Sequence, residues 1–317
     1  MNYTLDHIDI REAVSKLCHN FDGKYWQGCD KNNSYPQEFV NELTKAGYLS
    51  SLIPEEYGGL GLSLSVGVAI LEEIHKSGCN AAACHAQMYT MGTLLRYWSE
   101  SQKLEYLPKI ANGSLRLQAF GVTEPSSGSD TTSLKCNAIL KDDVYYINGQ
   151  KIWTSRAEYS DLIMLLVKTN QETKDSKNSL SLFLIDMRQH IGKEIIIKQI
   201  RTMVNHSTTE IFFDNLEVDQ SCIIGEEGQG FKYILNGLNA ERLLIASECI
   251  GDAKYFIDKS VEYGNQREVF GRPIGKNQGI QFPVAKAYSR TFAAELTLIE
   301  GCNLFNSGQD CGKEANI

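Results

Sequence analysis

No C-x-x-C pair occurs among the nine cysteines of this 317-residue sequence, and no His stands beside them at zinc-ligand spacing. Neither a metal site nor a disulfide framework is therefore indicated, and reduced thiols in a cytoplasmic compartment fit best. A run of about 18 apolar residues is also missing, so no membrane span is expected. The first ten residues, MNYTLDHIDI, carry acids where a secretory or organellar signal carries basic residues, which predicts a protein that is not secreted. Basic excess is lacking too: 31 Lys+Arg stand against 39 Asp+Glu, a formal net charge of −8, and nucleic acid is disfavoured as a partner. Neither G-x-G-x-x-G nor a Walker A pattern occurs, so nicotinamide and P-loop nucleotide readings lose their support.

What is present is ordinary globular composition, 42% hydrophobic and 22% charged, long enough for two or three domains. From Ile8 to about Arg116 apolar residues recur at helical spacing, as in Phe39, Leu43 and Ala46 or Val66, Ile70, Leu71 and Ile74; this predicts mostly helix. The period then changes to two, and short strands are expected at Leu117–Val122, Ala138–Leu140, Val144–Ile147, Leu162–Lys168, Leu180–Asp186, Glu194–Ile200 and Thr209–Phe213. Asn148-Gly149 reads as a hairpin turn between two of them. Many short strands without intervening helices argue for an antiparallel barrel or sandwich over a doubly wound sheet. Helical periodicity returns in Phe231–Tyr263 and Gln278–Phe305, around a Gly/Pro connector, Phe270–Gly275. The expected division is a helical domain at 1–116, a β domain at 117–227 and a helical domain at 228–317.

Four elements carry residues suited to chemistry. Gly121-Val-Thr-Glu-Pro-Ser-Ser-Gly-Ser-Asp-Thr-Thr-Ser133 is rich in small and hydroxyl residues that allow close approach to an anionic or heteroaromatic ligand, though a surface loop has the same composition. Lys151-Ile-Trp-Thr-Ser155 offers a flat apolar face beside hydroxyls, as a flavin requires, while Trp153 as a core residue is the plainer reading. Glu241 lies on a helix whose positions three and four residues away, Gly237, Leu238, Leu244 and Ile245, include no cation. Its carboxylate is either paired through tertiary contacts or desolvated with a raised pKa, the second state suiting a general base. The segment Arg267–Gln278 joins two helices, and its arginines suit bidentate phosphate contacts or a solvated loop. His75 and His85 lie on helical patterns and His206 in a polar loop, each read as structural.

In order and spacing these elements resemble the acyl-CoA dehydrogenase family. Gly121–Ser133 fits that family's first signature, Lys151–Ser155 is similar to its flavin-facing Trp segment, Pro54-Glu-Glu-Tyr-Gly-Gly-Leu-Gly61 resembles the turn ending an early helix, and Arg267-x-x-Phe-Gly-x-Pro-Ile-x-x-x-Gln278 resembles its FAD-reaching motif. The resemblance implies an N-terminal all-α domain, a middle antiparallel β-barrel domain and a C-terminal helical bundle, incomplete here because the Gly-Gly-rich second signature and its helices do not appear. Apolar Leu298, Ile299 and Leu304 are then expected to lie exposed. It implies FAD as cofactor, contacted by Phe120, Val122, Thr123, Gly128, Ser129, Trp153, Thr154 and Ser155, with Arg267, Phe270 and Gln278 reaching the FAD of a neighbouring subunit. Ser155 stands where many members have Thr. Ser129, Asn239 and Arg242 would touch the acyl-CoA substrate, although many relatives have Asp at the place of Asn239. Of the two places where the family carries its catalytic base, the late one is absent and Glu241 matches the other. The implied reaction removes the α-proton of an acyl-CoA with Glu241 while hydride passes to flavin N5, giving a trans-2-enoyl-CoA. Electron-transfer flavoprotein is the implied acceptor, and a homo-oligomer, tetrameric if complete, the implied assembly. An acyl-CoA oxidase or enoyl-CoA reductase on the same scaffold, an inactive remnant, and a helical scaffold without cofactor are the competing readings.

Overall fold

The computed structural model describes residues 7–169, 179–204 and 207–317; His206 lies outside them. Six helices come first: α1 (Ile8–Cys18), α2 (Gly23–Asn32), α3 (Gln37–Lys45), α4 (Leu64–Lys76), α5 (Ala86–Tyr97) and α6 (Glu100–Ala111). Seven strands follow: β1 (Leu117–Gly121), β2 (Asn137–Lys141), β3 (Val144–Ser155), β4 (Leu162–Lys168), β5 (Leu180–Asp186), β6 (Ile195–Gln199) and β7 (Thr208–Asp219). The chain then forms the long α7 (Gly230–Gln266), a hairpin of β8 (Glu268–Val269) and β9 (Arg272–Pro273), α8 (Gln278–Asn306) and α9 (Gly312–Asn316). This is the helical, β, helical order that the hydrophobic periods predict. The described residues sort into two compact units, one drawn from the ranges 1–26, 62–81 and 239–317, the other from 27–61 and 82–238.

In the second unit the seven strands form one sheet in the order β1-β4-β2-β3-β7-β6, with β5 also bonded to β4. Most pairings are antiparallel, as expected, but β1 and β2 both run parallel to β4. Strand β5 pairs with the whole of β4, so β1, opposite Leu162–Leu165, and β2, opposite Lys168, share its other edge. The unbroken apolar run of β4 is explained by its two buried faces. Leu162, Met164 and Leu166 join a core with Met91, Leu94, Leu107 and Ile110 from α5 and α6. Ile163, Leu165 and Val167 join another with Tyr145, Ile147, Phe183 and Ile211.

The hairpin expected at Asn148-Gly149 is not there. Strand β3 runs straight through both residues, and its turn with β2 is Asp142-Asp143, with φ of 48° and 64°. Two acidic residues thus take the left-handed conformations that Asn-Gly usually supplies. Packing claims Gly149 instead: its φ is 143°, and a Cβ there would stand 2.6 Å from Cys136 Cα. Asn148 is used across the sheet, its Oδ1 accepting from Asn215 N at 2.9 Å where the β3–β7 register shifts.

The first unit is organised around α4, whose residues Leu64–His75 are all buried. A helix apolar on every side needs its few charges matched. Glu72 Oε2 accepts from Arg11 at 2.9 Å and Oε1 from Lys254 at 2.6 Å, and Lys254 also reaches Glu295 at 2.6 Å. Burial pushes the Glu72 carboxyl up, but Arg11 and Lys254 outweigh it and hold it below the usual carboxylate range. One correction concerns α8: of the three residues expected exposed, Leu298 and Ile299 are only 3% and 5% exposed and Leu304 is half-buried. Exposed large side chains of this region include Phe256 and Tyr263 on α7 and Phe282, Tyr288 and Phe292 on α8. The connector before α8 is a tight hairpin turning at Phe270-Gly271, both left-handed, with φ of 52° and 74°.

The turn chemistry gives a direct test. Replacing Asp142-Asp143 by Asn-Gly is expected to raise unfolding free energy by about 0.5–1 kcal/mol, whereas Gly149→Ala is expected to lower it by about 2 kcal/mol or more. Urea denaturation followed by circular dichroism reads both; a neutral Gly149→Ala would contradict the packing argument.

Candidate functional site: a loop cradle and a carboxylate helix

The segment following β1 owes its shape to one buried ion pair. Lys151 is wholly buried in β3, and its Nζ donates to Glu124 Oε1 at 2.8 Å and to the Val122 carbonyl at 3.0 Å. The Glu124 carboxylate also accepts from Lys135 N at 2.7 Å and Cys136 N at 3.0 Å. One carboxylate therefore closes both ends of the 124–136 loop onto the sheet, with every charge hydrogen-bonded, as burial demands. The two signature segments are also joined directly, Ile152 N donating to Thr123 O at 2.9 Å. Burial pushes the adjacent Cys136 thiol up to about 11, so it remains protonated at neutral pH.

Within the loop, Glu124 and Ser127 exchange backbone hydrogen bonds of 2.9 and 3.1 Å across Pro125-Ser126. Ser127 Oγ donates to the Asp130 carbonyl and accepts from Ser133 Oγ at 3.0 Å. Hydrogen bonds from Thr132 hold the Asp130 carboxyl below the usual carboxylate range. Gly128 and Ser129 are among the residues this bracing leaves exposed, with Pro125, Ser126 and Asp130. A Cβ on Gly128 would meet only Thr123 Cγ2, at 3.8 Å, so the space over that backbone is open to a ligand. Phe120 and Val122 are half-buried against the α5–α6 side core, and Thr123 is half-buried.

Trp153 is not a core residue. Between Lys151 and Thr154 two residues of β3 oppose one of β7, and this bulge puts Trp153 at φ 62° with 57% of its surface exposed. A bulge re-aims a side chain that alternation would otherwise direct by its neighbours. Thr154 returns to the buried side, its carbonyl accepting from Thr209 Oγ1 at 2.7 Å, and Ser155 is half-buried.

The remaining candidates lie in the other unit. Asn239, Glu241 and Arg242 follow one another on α7 and are all half-buried; Ala240, Leu243 and Leu244 around them are buried. Arg242 Nη1 donates to Asn239 Oδ1 at 3.4 Å, a weak contact. Arg267 at the start of the β8–β9 hairpin, Phe270 at its tip and Gln278 at the start of α8 are all exposed. Sequence reasoning passed over Glu124 and Lys151 as partners; the only local signal was a Lys at an inward position of a strand.

Three family models cover the chain: the acyl-CoA dehydrogenase N-terminal domain at residues 4–114, its middle domain at 119–216 and its C-terminal domain at 228–317. The chain is 30% identical to an acyl-CoA dehydrogenase of Bacillus subtilis, over all of this chain and 83% of that one. It is 32% identical to a 3-(aryl)acrylate reductase of Clostridium sporogenes, over 100% and 84% of the two chains. Among solved structures it is similar to an acyl-CoA dehydrogenase from Geobacillus kaustophilus, with TM-score 0.90 and 25% identity over 98% of this chain and 82% of that one. Among the described residues no group of His, Cys, Asp and Glu could hold a metal ion, and no helix is long and apolar enough to cross a membrane.

Removing one partner of the buried pair strands the other charge. Lys151→Met is expected to cost about 3–5 kcal/mol of unfolding free energy, and adding Glu124→Gln to it is expected to recover a large part. Chemical denaturation of the two variants checks this; a Lys151→Met chain as stable as the parent would contradict it.

Proposed function

The chain belongs to the acyl-CoA dehydrogenase family, and from that premise we propose that it desaturates an acyl-CoA thioester between Cα and Cβ with Glu241 as the base. The observation that carries this reading is the union of the two flavin-type segments, Ile152 N on Thr123 O at 2.9 Å above the Lys151–Glu124 pair. The cradle fits FAD: Gly128 offers unobstructed backbone, and Trp153 offers an indole face outside the core. Phe120, Val122, Thr123, Gly128, Ser129 and Trp153 to Ser155 would hold it, with Arg267, Phe270 and Gln278 serving a second copy. When bound, FAD supplies the two-electron acceptor for the hydrogen leaving Cβ.

The α-proton of a thioester is weakly acidic, so a base must be held at Cα in a partly dehydrated setting. Glu241 takes that proton on its carboxylate. Its half-burial on α7, beside the buried Ala240, Leu243 and Leu244, supports the role by limiting the water that reaches the carboxylate. Arg242 and Asn239 orient the CoA portion beside it, and Ser129 adds a hydroxyl contact. The exposed Phe256, Phe282, Tyr288 and Phe292 support a homo-oligomer. Nine free thiols support a reducing, cytoplasmic setting. Electron-transfer flavoprotein is the proposed oxidant of the loaded enzyme and fatty-acid metabolism its context, with the domain division at 1–116, 117–227 and 228–317. The 32% identity to a reductase favours one second reading, the same chemistry run toward the saturated thioester.

Glu241→Gln is expected to retain FAD while turnover falls by about 10²–10⁴-fold or more. Steady-state kinetics with a panel of acyl-CoAs, beside the flavin absorbance of each preparation, checks it. Unchanged turnover would move the base to another residue.

A further inference from the structure

Arg156 follows Ser155 directly and has φ 64°, a backbone conformation suited to Gly or Asn. With Trp153 at 62°, two left-handed residues that are not glycine bracket Thr154-Ser155. Such conformations persist where the surroundings over-determine them. The Arg156 side chain is 3% exposed, and among the described residues no carboxylate lies within ion-pair distance of it. Its donors go to main-chain carbonyls instead: Nε to Gln118 O on β1 at 3.4 Å, and Nη1 to Ala82 O just before α5. Its own N–H donates to Ser207 O at 2.7 Å.

The Ala82 anchor is itself fixed. Tyr35 OH donates to the neighbouring Ala83 carbonyl at 2.8 Å, and its ring stacks on Tyr159 at 4.1 Å, three residues beyond Arg156. A buried guanidinium bonded only to carbonyls is costly to desolvate, and a glycine would carry this φ more cheaply. The cation's contribution is therefore geometric, since a guanidinium fork can hold two separate acceptors in one fixed arrangement.

We infer that Arg156 is a positioning residue: it straps the end of β3 to β1 and to the chain at Ala82, and so fixes the bulge that presents Trp153 and Ser155. The inference rests on the reading of those two side chains as flavin-facing. Arg156→Gly separates the roles, because it keeps the backbone conformation and removes the strap. Arg156→Lys keeps the charge but not the two-pronged reach.

Two readouts on the full chain decide it. Amide hydrogen exchange without FAD is expected to run about tenfold faster or more across 151–156 in Arg156→Gly, with β4 and β5 unchanged. The FAD dissociation constant, from flavin fluorescence, is expected to rise about tenfold or more. Arg156→Lys falls between, and should Arg156→Gly not fold, the lysine variant alone decides by the same comparison. Wild-type exchange across 151–156, or equal acceleration in β4 and β5, overturns the positioning role. A wild-type chain that takes no FAD removes the flavin reading, while the exchange comparison still decides whether Arg156 holds the segment.

Discussion

A buried lysine and glutamate fix the geometry on which the cradle depends. Lys151 and Glu124 meet at 2.8 Å, and between them they hold the Val122 carbonyl and the amides of Lys135 and Cys136. Such a pair adds little net stability over an apolar substitute, because desolvation offsets most of its attraction. What it supplies is a fully satisfied arrangement of the 124–136 loop, in which every buried charge has a hydrogen-bond partner. The exposed Gly128-Ser129 edge and the link from Ile152 to Thr123 follow from that constraint.

Sheet architecture then turns a strand into a presenting surface. A regular β3 would alternate its side chains without exception, and the bulge at Ile152-Trp153 interrupts this so that Trp153 faces out between buried Lys151 and buried Thr154. The helical unit follows the same logic with different parts. Arg11 and Lys254 neutralise Glu72 on the buried α4, and Lys254 is shared with Glu295, which ties α1, α7 and α8 to one helix.

Periodicity makes the scaffold legible. All seven expected strands exist, within a few residues except where β3 and β7 run on, and α7 and α8 match their hydrophobic spans. Local turn chemistry misleads at Asn148-Gly149, because Gly149 is needed for close approach to Cys136 and not for a turn. The exposure of Trp153 is unreadable without the bulge, and the bulge depends on register with β7, some 55 residues away in sequence. Buried charges are hidden for a similar reason: nothing near Lys151 in the sequence marks Glu124 as its partner. The family resemblance predicted Leu298 and Ile299 to lie exposed for want of partner helices, yet the fold covers them. The signature segments that suggest a flavin were visible; their bracing was not.

The proposed function requires one chain to hold both a flavin cradle and a base for acyl-CoA oxidation. The most direct measurement is anaerobic addition of a panel of acyl-CoA thioesters to the FAD-loaded chain, followed in the visible flavin band. Bleaching by at least one thioester, with its enoyl-CoA recovered in equal amount, is the predicted result. A stable, FAD-loaded chain whose spectrum no acyl-CoA bleaches would contradict the account.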